Sequence, residues 1–229
     1  MSVFDLHVHT VRGSSDSSLT PEQLVKRARE IGLDGICLTE HSGGWDDQKL
    51  QEAFQDSGIT VVGGLEVETE MGHVLVFGLH SYTSGINKID RLRRAVDRAG
   101  GVMVSAHPFR NLFNPPPHNV NLVFRSVNGR PGTADEATGH PLFQVVDEIE
   151  AANGSNTDRE NDFALDVAHL LGFVGTGGSD AHSDQGLGRC VTVFDGDVRS
   201  EADLIEALRA KAFKPAQGLH VGQLQSLGG

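Results

Sequence analysis

Six of the eleven histidines in this chain stand at the edges of short apolar runs, and no other feature constrains the fold as much. Those runs read as strands near residues 3–7, 34–39, 59–65, 73–78, 102–106, 146–151 and 173–177. Helical patterns fill most of the gaps, near 21–31, 46–56, 87–99, 157–171 and 201–212. The first has Thr20 as its cap, Pro21 at its first position and Gly32 as its stop, while Thr157 and Ser200 cap the last two. Strands alternating with helices indicate β/α units around a parallel sheet or barrel. In barrels of that kind, reacting groups come from the C-terminal ends of several strands, which meet at one face. His7, His9, His41, His73, His107 and His182 are distributed in that way.

The opening "SVFDLHVHT" sets two imidazoles two positions apart. On an extended strand, residues i and i+2 share a face, so His7 and His9 converge. Alone, such a pair is equally a surface accident or two satisfied strand-end histidines, and a metal site needs ligands from other segments. Other segments supply them. "GTGGSDAHSD" repeats the spacing with Asp180 and His182, "LTEHS" brings Glu40 and His41, and "SAHPF" brings His107 with Pro108 ending the ladder. "GGLEVE" brings Glu66, with Glu68 and Glu70 on the same face if the strand continues. Asp5 shares the face of His7 and His9, where it either orients an imidazole or serves as a buried structural acid.

In this order, D-L-H-x-H-T, T-E-H, G-x-E, A-H-P and G-S-D-A-H resemble the motifs of the polymerase and histidinol phosphatase (PHP) family over residues 5–182. The resemblance implies an α/β fold, a distorted (β/α)7 TIM-like barrel, holding two or three divalent ions and hydrolysing phosphoesters. It implies a first ion on His7, His9, Glu66 and Asp180, and a second sharing Glu66 and taking His73 and His107. A third would be held by Asp16, His41 and His182. Mixed imidazole and carboxylate ligands suit zinc, manganese or iron. The implied nucleophile is a metal-bridged hydroxide at the site formed by His7, His9, Glu66 and Asp180.

Arg110 and Arg189 are candidates for gripping phosphate, and Asn153 and Asn156 for adding hydrogen bonds. His80, His118, His140, His169 and His220 fall outside the motifs and read as surface or loop residues. Cys37 and Cys190 lie in apolar runs, as buried free thiols do. The formal charge of −12 argues against a nonspecific grip on long nucleic acid. The chain shows neither a signal segment nor an apolar run approaching the roughly 20 residues that span a bilayer, so a cytoplasmic protein without a membrane partner is expected.

One domain over 1–220 is expected, with a proline-rich insertion at 110–141 over one end of the sheet and a frayed tail at 221–229. The expected function is metal-dependent hydrolysis of a small phosphorylated metabolite or nucleotide. The alternatives are a noncatalytic metal-binding module that serves a protein partner, and a metal-dependent hydrolase of a non-phosphate bond.

Overall fold

The computed structural model describes residues 1–43, 45–125 and 129–228. Its strands are β1 (Ser2–Val8), β2 (Gly35–Glu40), β3 (Thr60–Thr69), β4 (Gly72–Phe77), β5 (Val102–Ser105), β6 (Glu148–Asn153), β7 (Thr176–Gly178), β8 (Cys190–Phe194), β9 (Phe213–Gln217) and β10 (Gln225–Ser226). They form one curled sheet in the order β10-β9-β8-β1-β2-β3-β4-β5-β6-β7. The pairs β1–β2, β2–β3, β5–β6 and β6–β7 are parallel, as β/α units require.

The helices are α1 (Pro21–Ile31), α2 (Asp47–Phe54), α3 (Ile89–Ala99), α4 (Ala134–Thr138), α5 (Asp158–Leu171) and α6 (Glu201–Arg209). Local chemistry fixes their ends. Thr20 and Gln23 form a capping box at the start of α1, and left-handed Gly32 closes it. Thr157 and Glu160 form the same box on α5. Leu24 and Ala28 bury the inner stripe of α1 against Val8, Ile36 and Leu38 of the sheet.

The sheet curls until the segment after β7 returns to β1. Asp180 N–H donates to His7 O at 2.8 Å, His9 N–H donates to Ala181 O at 3.0 Å, and Val8 and Ala181 form a parallel bridge. This contact puts both two-residue motifs, His7/His9 and Asp180/His182, at one mouth. Gly178 allows the approach, because a Cβ there would sit 2.5 Å from His7 Cβ.

Several expectations change. The strand expected at 59–65 runs on to Thr69 and turns into β4 as an antiparallel hairpin, so no helix separates β3 from β4 and strict β/α alternation breaks there. Strands β8 and β9 add an antiparallel extension beside β1. The segment expected to fray carries β10, which pairs with β9. The insertion is anchored: Leu112, Val123, Phe124 and Ala137 join the core formed with α3 and α5. Residues 126–128 of the insertion lie outside the described residues. No described helix is long and apolar enough to cross a membrane.

Candidate metal centre

His7, His9, His41 and His107 sit at or just past the end of a strand, Asp180 and His182 in the loop after β7, Glu66 within β3 and His73 at the start of β4. Glu66, two positions beyond Gly64 on β3, is the hub. Its Oε1 lies 2.8 Å from His73 Nδ1 and 2.9 Å from His107 Nε2. Its Oε2 lies 3.3 Å from His7 Nε2, 3.2 Å from His9 Nε2 and 3.3 Å from His41 Nδ1. One carboxylate therefore faces five imidazoles. Glu68 and Glu70 point elsewhere: both are exposed, and Glu70 accepts from Ile89 N.

Asp180 adds a second carboxylate, with Oδ1 3.5 Å from His7 Nε2 and 3.3 Å from His9 Nε2. Asp16 is the outer acid, 3.3 Å from His182 Nε2 and 3.7 Å from His41 Nε2. Four groups of side chains gather ligand atoms closely enough to hold an ion: His7 with His9 and Glu66; His7 with His107 and Asp180; Glu66 with His73 and His107; and His9 with His41 and His182.

Whether this donor set fits a cation is decided by its buried nitrogens. His7 and His9 are fully buried, and Nε2 of each has no hydrogen-bond partner. Buried polar atoms are normally paired, so two orphaned nitrogens aimed at two carboxylates need an occupant. A divalent cation satisfies both nitrogens and both acids.

The other ring nitrogens are held by protein groups, as ligating imidazoles require. Glu150 Oε1 lies 2.9 Å from His7 Nδ1, and Ser14 Oγ 3.0 Å from His9 Nδ1. His182 Nδ1 is 3.0 Å from Asp180 O. Ser14 in turn donates to Glu40 at 2.7 Å, and Glu40 also accepts from Thr10 N and Trp45 Nε1. Glu40 thus acts on His9 through Ser14. Asp5 orients no ring: its oxygens accept from the backbone N–H groups of Ser179, Gly188 and His7. Its burial pushes its carboxyl pKa up to about 6.

Electrostatics follow from this crowding. Burial opposes charge on His7, but Glu150, Asp180 and Glu66 together raise its pKa well above the ordinary imidazole value. Burial likewise opposes ionisation of Glu66 and Asp180, and the surrounding imidazoles hold both well below the usual carboxylate range. His107 moves the other way, because burial and the Arg110 guanidinium disfavour its charge. Backbone strain concentrates here as well. His107 has φ +30° and Asp180 φ +54°, conformations that cost about 1–3 kcal/mol each and persist where the surroundings fix them.

The proposed phosphate-gripping residues are placed differently. Arg110 NH2 donates to Asp180 Oδ2 at 2.5 Å and to Asn153 Oδ1 at 2.8 Å, and its Nε donates to Asn156 Oδ1 at 3.0 Å. Asn153 is buried and fully engaged, since its Nδ2 donates to Glu150 Oε2. It positions Glu150 and Arg110, and it lines a polar groove with Asn156. Arg189 is exposed, lines a polar groove with Asn156 and Gln217, and makes no ion pair with the cluster among the described residues. Cys37 and Cys190 are buried free thiols, Cys190 pushed up to about 12 by burial, so neither is a nucleophile. Tyr82, whose hydroxyl donates to Glu66 O at 2.5 Å, carried no signal in the motif pattern.

The PHP domain profile matches residues 5–116, and the PHP-associated profile matches residues 158–213. An error-prone DNA polymerase of Nocardia farcinica is 36% identical over 63 residues, which is 28% of this chain and 6% of the polymerase. The chain thus spans a small fraction of that relative's length. The crystal structure of PsfC from Pseudomonas syringae is similar with a TM-score of 0.63 and 22% identity, covering 91% of this chain and 89% of PsfC. A Bifidobacterium adolescentis protein assigned as a metal-dependent phosphoesterase is similar with a TM-score of 0.57 and 18% identity, covering 90% of this chain and 95% of its own. With both profiles matched in sequence order and every motif histidine and acid at one mouth of the curled sheet, the chain belongs to the PHP domain family.

Proposed function

We propose that this protein is a metal-dependent phosphoesterase acting on a small phosphorylated metabolite or nucleotide. The observation that carries this reading is the pair of buried, unpartnered Nε2 atoms of His7 and His9 facing the carboxylates of Glu66 and Asp180. His7, His9, Glu66 and Asp180 would hold one divalent ion, Glu66 with His73 and His107 a second, and Asp16 with His41 and His182 a third. Bound divalent ions supply Lewis acidity toward phosphoryl oxygens and lower the pKa of water.

The chain's own residues do the rest. Glu66 sets the spacing of the histidines, since its two oxygens serve both sides of the cluster. Glu150 fixes the ring of His7, and Ser14 with Glu40 fixes that of His9. Arg110 is the one guanidinium in contact with the cluster among the described residues, and it holds Asp180 in place. Arg110 also brings positive charge to the mouth, where a phosphate dianion would be held. A metal-assisted reaction needs no protein nucleophile, in keeping with two deeply buried thiols.

The test uses protein loaded with zinc, manganese or iron and a panel of phosphomonoesters and phosphodiesters. Turnover that Asp180→Ala abolishes is expected. Full metal occupancy without turnover of any phosphoester would instead favour a noncatalytic module, and turnover of amides or lactones alone would favour hydrolysis of a non-phosphate bond.

A further inference from the structure

Beside His73 and His107 lies a cavity of about 190 Å³ whose outer wall is built by the proline-rich insertion. Its polar side is lined by His73, His107 and Arg110, and its apolar side by Val120, Leu122 and Val123. That wall is pinned. Asn121, buried between these aliphatic residues, donates from Nδ2 to Pro108 O at 2.8 Å and Arg110 O at 2.9 Å, and its Oδ1 accepts from Phe124 N at 2.6 Å. Val123 rests on Gly72 of β4, where a Cβ would come within 2.9 Å of its methyl. A pinned, buried asparagine fixes the distance between the aliphatic wall and the histidines, so the cavity has a set size.

We infer that this cavity is the specificity pocket for the alcohol portion of the substrate, and that it takes a compact, partly apolar group and shuts out nucleosides. The inference rests on the phosphoester reading above and narrows it. The polarity matches an alkyl or small aryl phosphate laid across it, with the anionic end toward Arg110 and the imidazoles and the carbon end toward Val120 and Leu122. Size decides the rest. At about 190 Å³ the cavity is smaller than the ~300 Å³ at which pockets for larger organic ligands begin. Val120 is an aliphatic residue left 64% exposed in the free protein, a surface that such a group would cover.

The experiment titrates metal-loaded protein by calorimetry with hydrolysis-inert alkylphosphonates from methyl to butyl and with adenosine 5′-monophosphate. Each methylene is expected to tighten Kd about fourfold while the cavity fills. Adenosine 5′-monophosphate is expected to bind no tighter than methylphosphonate. Leu122→Trp should collapse the ratio of methyl to butyl Kd toward one. Val120→Trp, at an exposed position that spares the core, should do the same and guards against misfolding of the first variant. A flat series in the wild type, a ratio retained in both variants, or adenosine 5′-monophosphate binding more tightly than butylphosphonate would overturn the pocket. A flat series alongside intact phosphoester turnover defeats the pocket alone. No phosphonate binding together with no turnover of any phosphoester defeats the phosphoester reading and the pocket with it.

Discussion

Glu150 Oε1 stands 2.9 Å from Nδ1 of His7, a residue 143 positions earlier in the chain. The other oxygen of Glu150 accepts from His107 N at 2.8 Å and Asn153 Nδ2 at 2.9 Å, so one acid ties two histidines of the cluster to β6. Glu150→Gln presents an amide NH2 to one of these donors and leaves it unpaired. Metal affinity should fall about 10–100-fold, as is usual when the partner of a ligating imidazole is lost. Chelator competition measures this, and affinity within twofold of wild type would contradict the assignment.

Arg110 reaches Asp180, Asn153 and Asn156 through two nitrogens of one planar fork. A lysine ammonium cannot reproduce that geometry. Both Arg110→Ala and Arg110→Lys should lower kcat/KM on a phosphoester by about tenfold or more. Steady-state kinetics that matched wild type would return Arg110 to a passive role.

Protonation and metal binding compete at His7. Its folded-state pKa is raised by Glu150, Asp180 and Glu66 against the opposing effect of burial, above the ordinary 6.5. In metal-free protein the charged ring therefore contributes stability that is fully present below about 6.5 and lost as pH rises through the folded-state value. A cation must displace that proton. Metal loading should thus raise Tm more at high pH than at pH 6, with proton release on binding. Scanning calorimetry of apo and loaded protein reads the gap, and a gap independent of pH would count against it.

Gly178 permits the sheet to close on the cluster. A methyl there would lie 2.5 Å from His7 Cβ and 2.7 Å from Glu150 Oε1. Gly178→Ala should destabilise the protein by about 1–3 kcal/mol, as overpacking does, and lower its metal content. Gly196, where nothing lies within 4 Å of an added Cβ, is the control, and Gly196→Ala should stay within about 0.5 kcal/mol. Equal denaturation midpoints for the two variants would refute the close approach.

The cluster was legible in sequence because its ligands obey a local rule. His7 and His9 share a strand face by alternation, and His41, Glu66 and His107 each follow an apolar run. The groups that hold those ligands were harder to read. Glu150 acts on His7 only through the parallel β5–β6–β7 pairings, which no local periodicity encodes, and it lies inside β6, not at its end. Asp5 was open to two readings in sequence, and its backbone partners Ser179 and Gly188, more than 170 positions away, decide for the buried structural acid. Strand β9 was hidden by Pro215, which lacks the N–H a ladder residue donates and reads as a strand breaker. Asn153 stood out as a polar residue just beyond a strand end, and Arg189 as a cation seven residues after His182. The structure spends the first on Glu150 and Arg110 and leaves the second apart from the cluster.

Metal stoichiometry tests the account most directly. Elemental analysis of wild-type protein and of His9→Ala, each equilibrated with zinc, manganese or iron and freed of excess, should give two or three ions per chain for wild type and at least one fewer for the variant. Wild-type protein that retains no ion of any of the three metals, or a variant that retains the full wild-type complement, would contradict it.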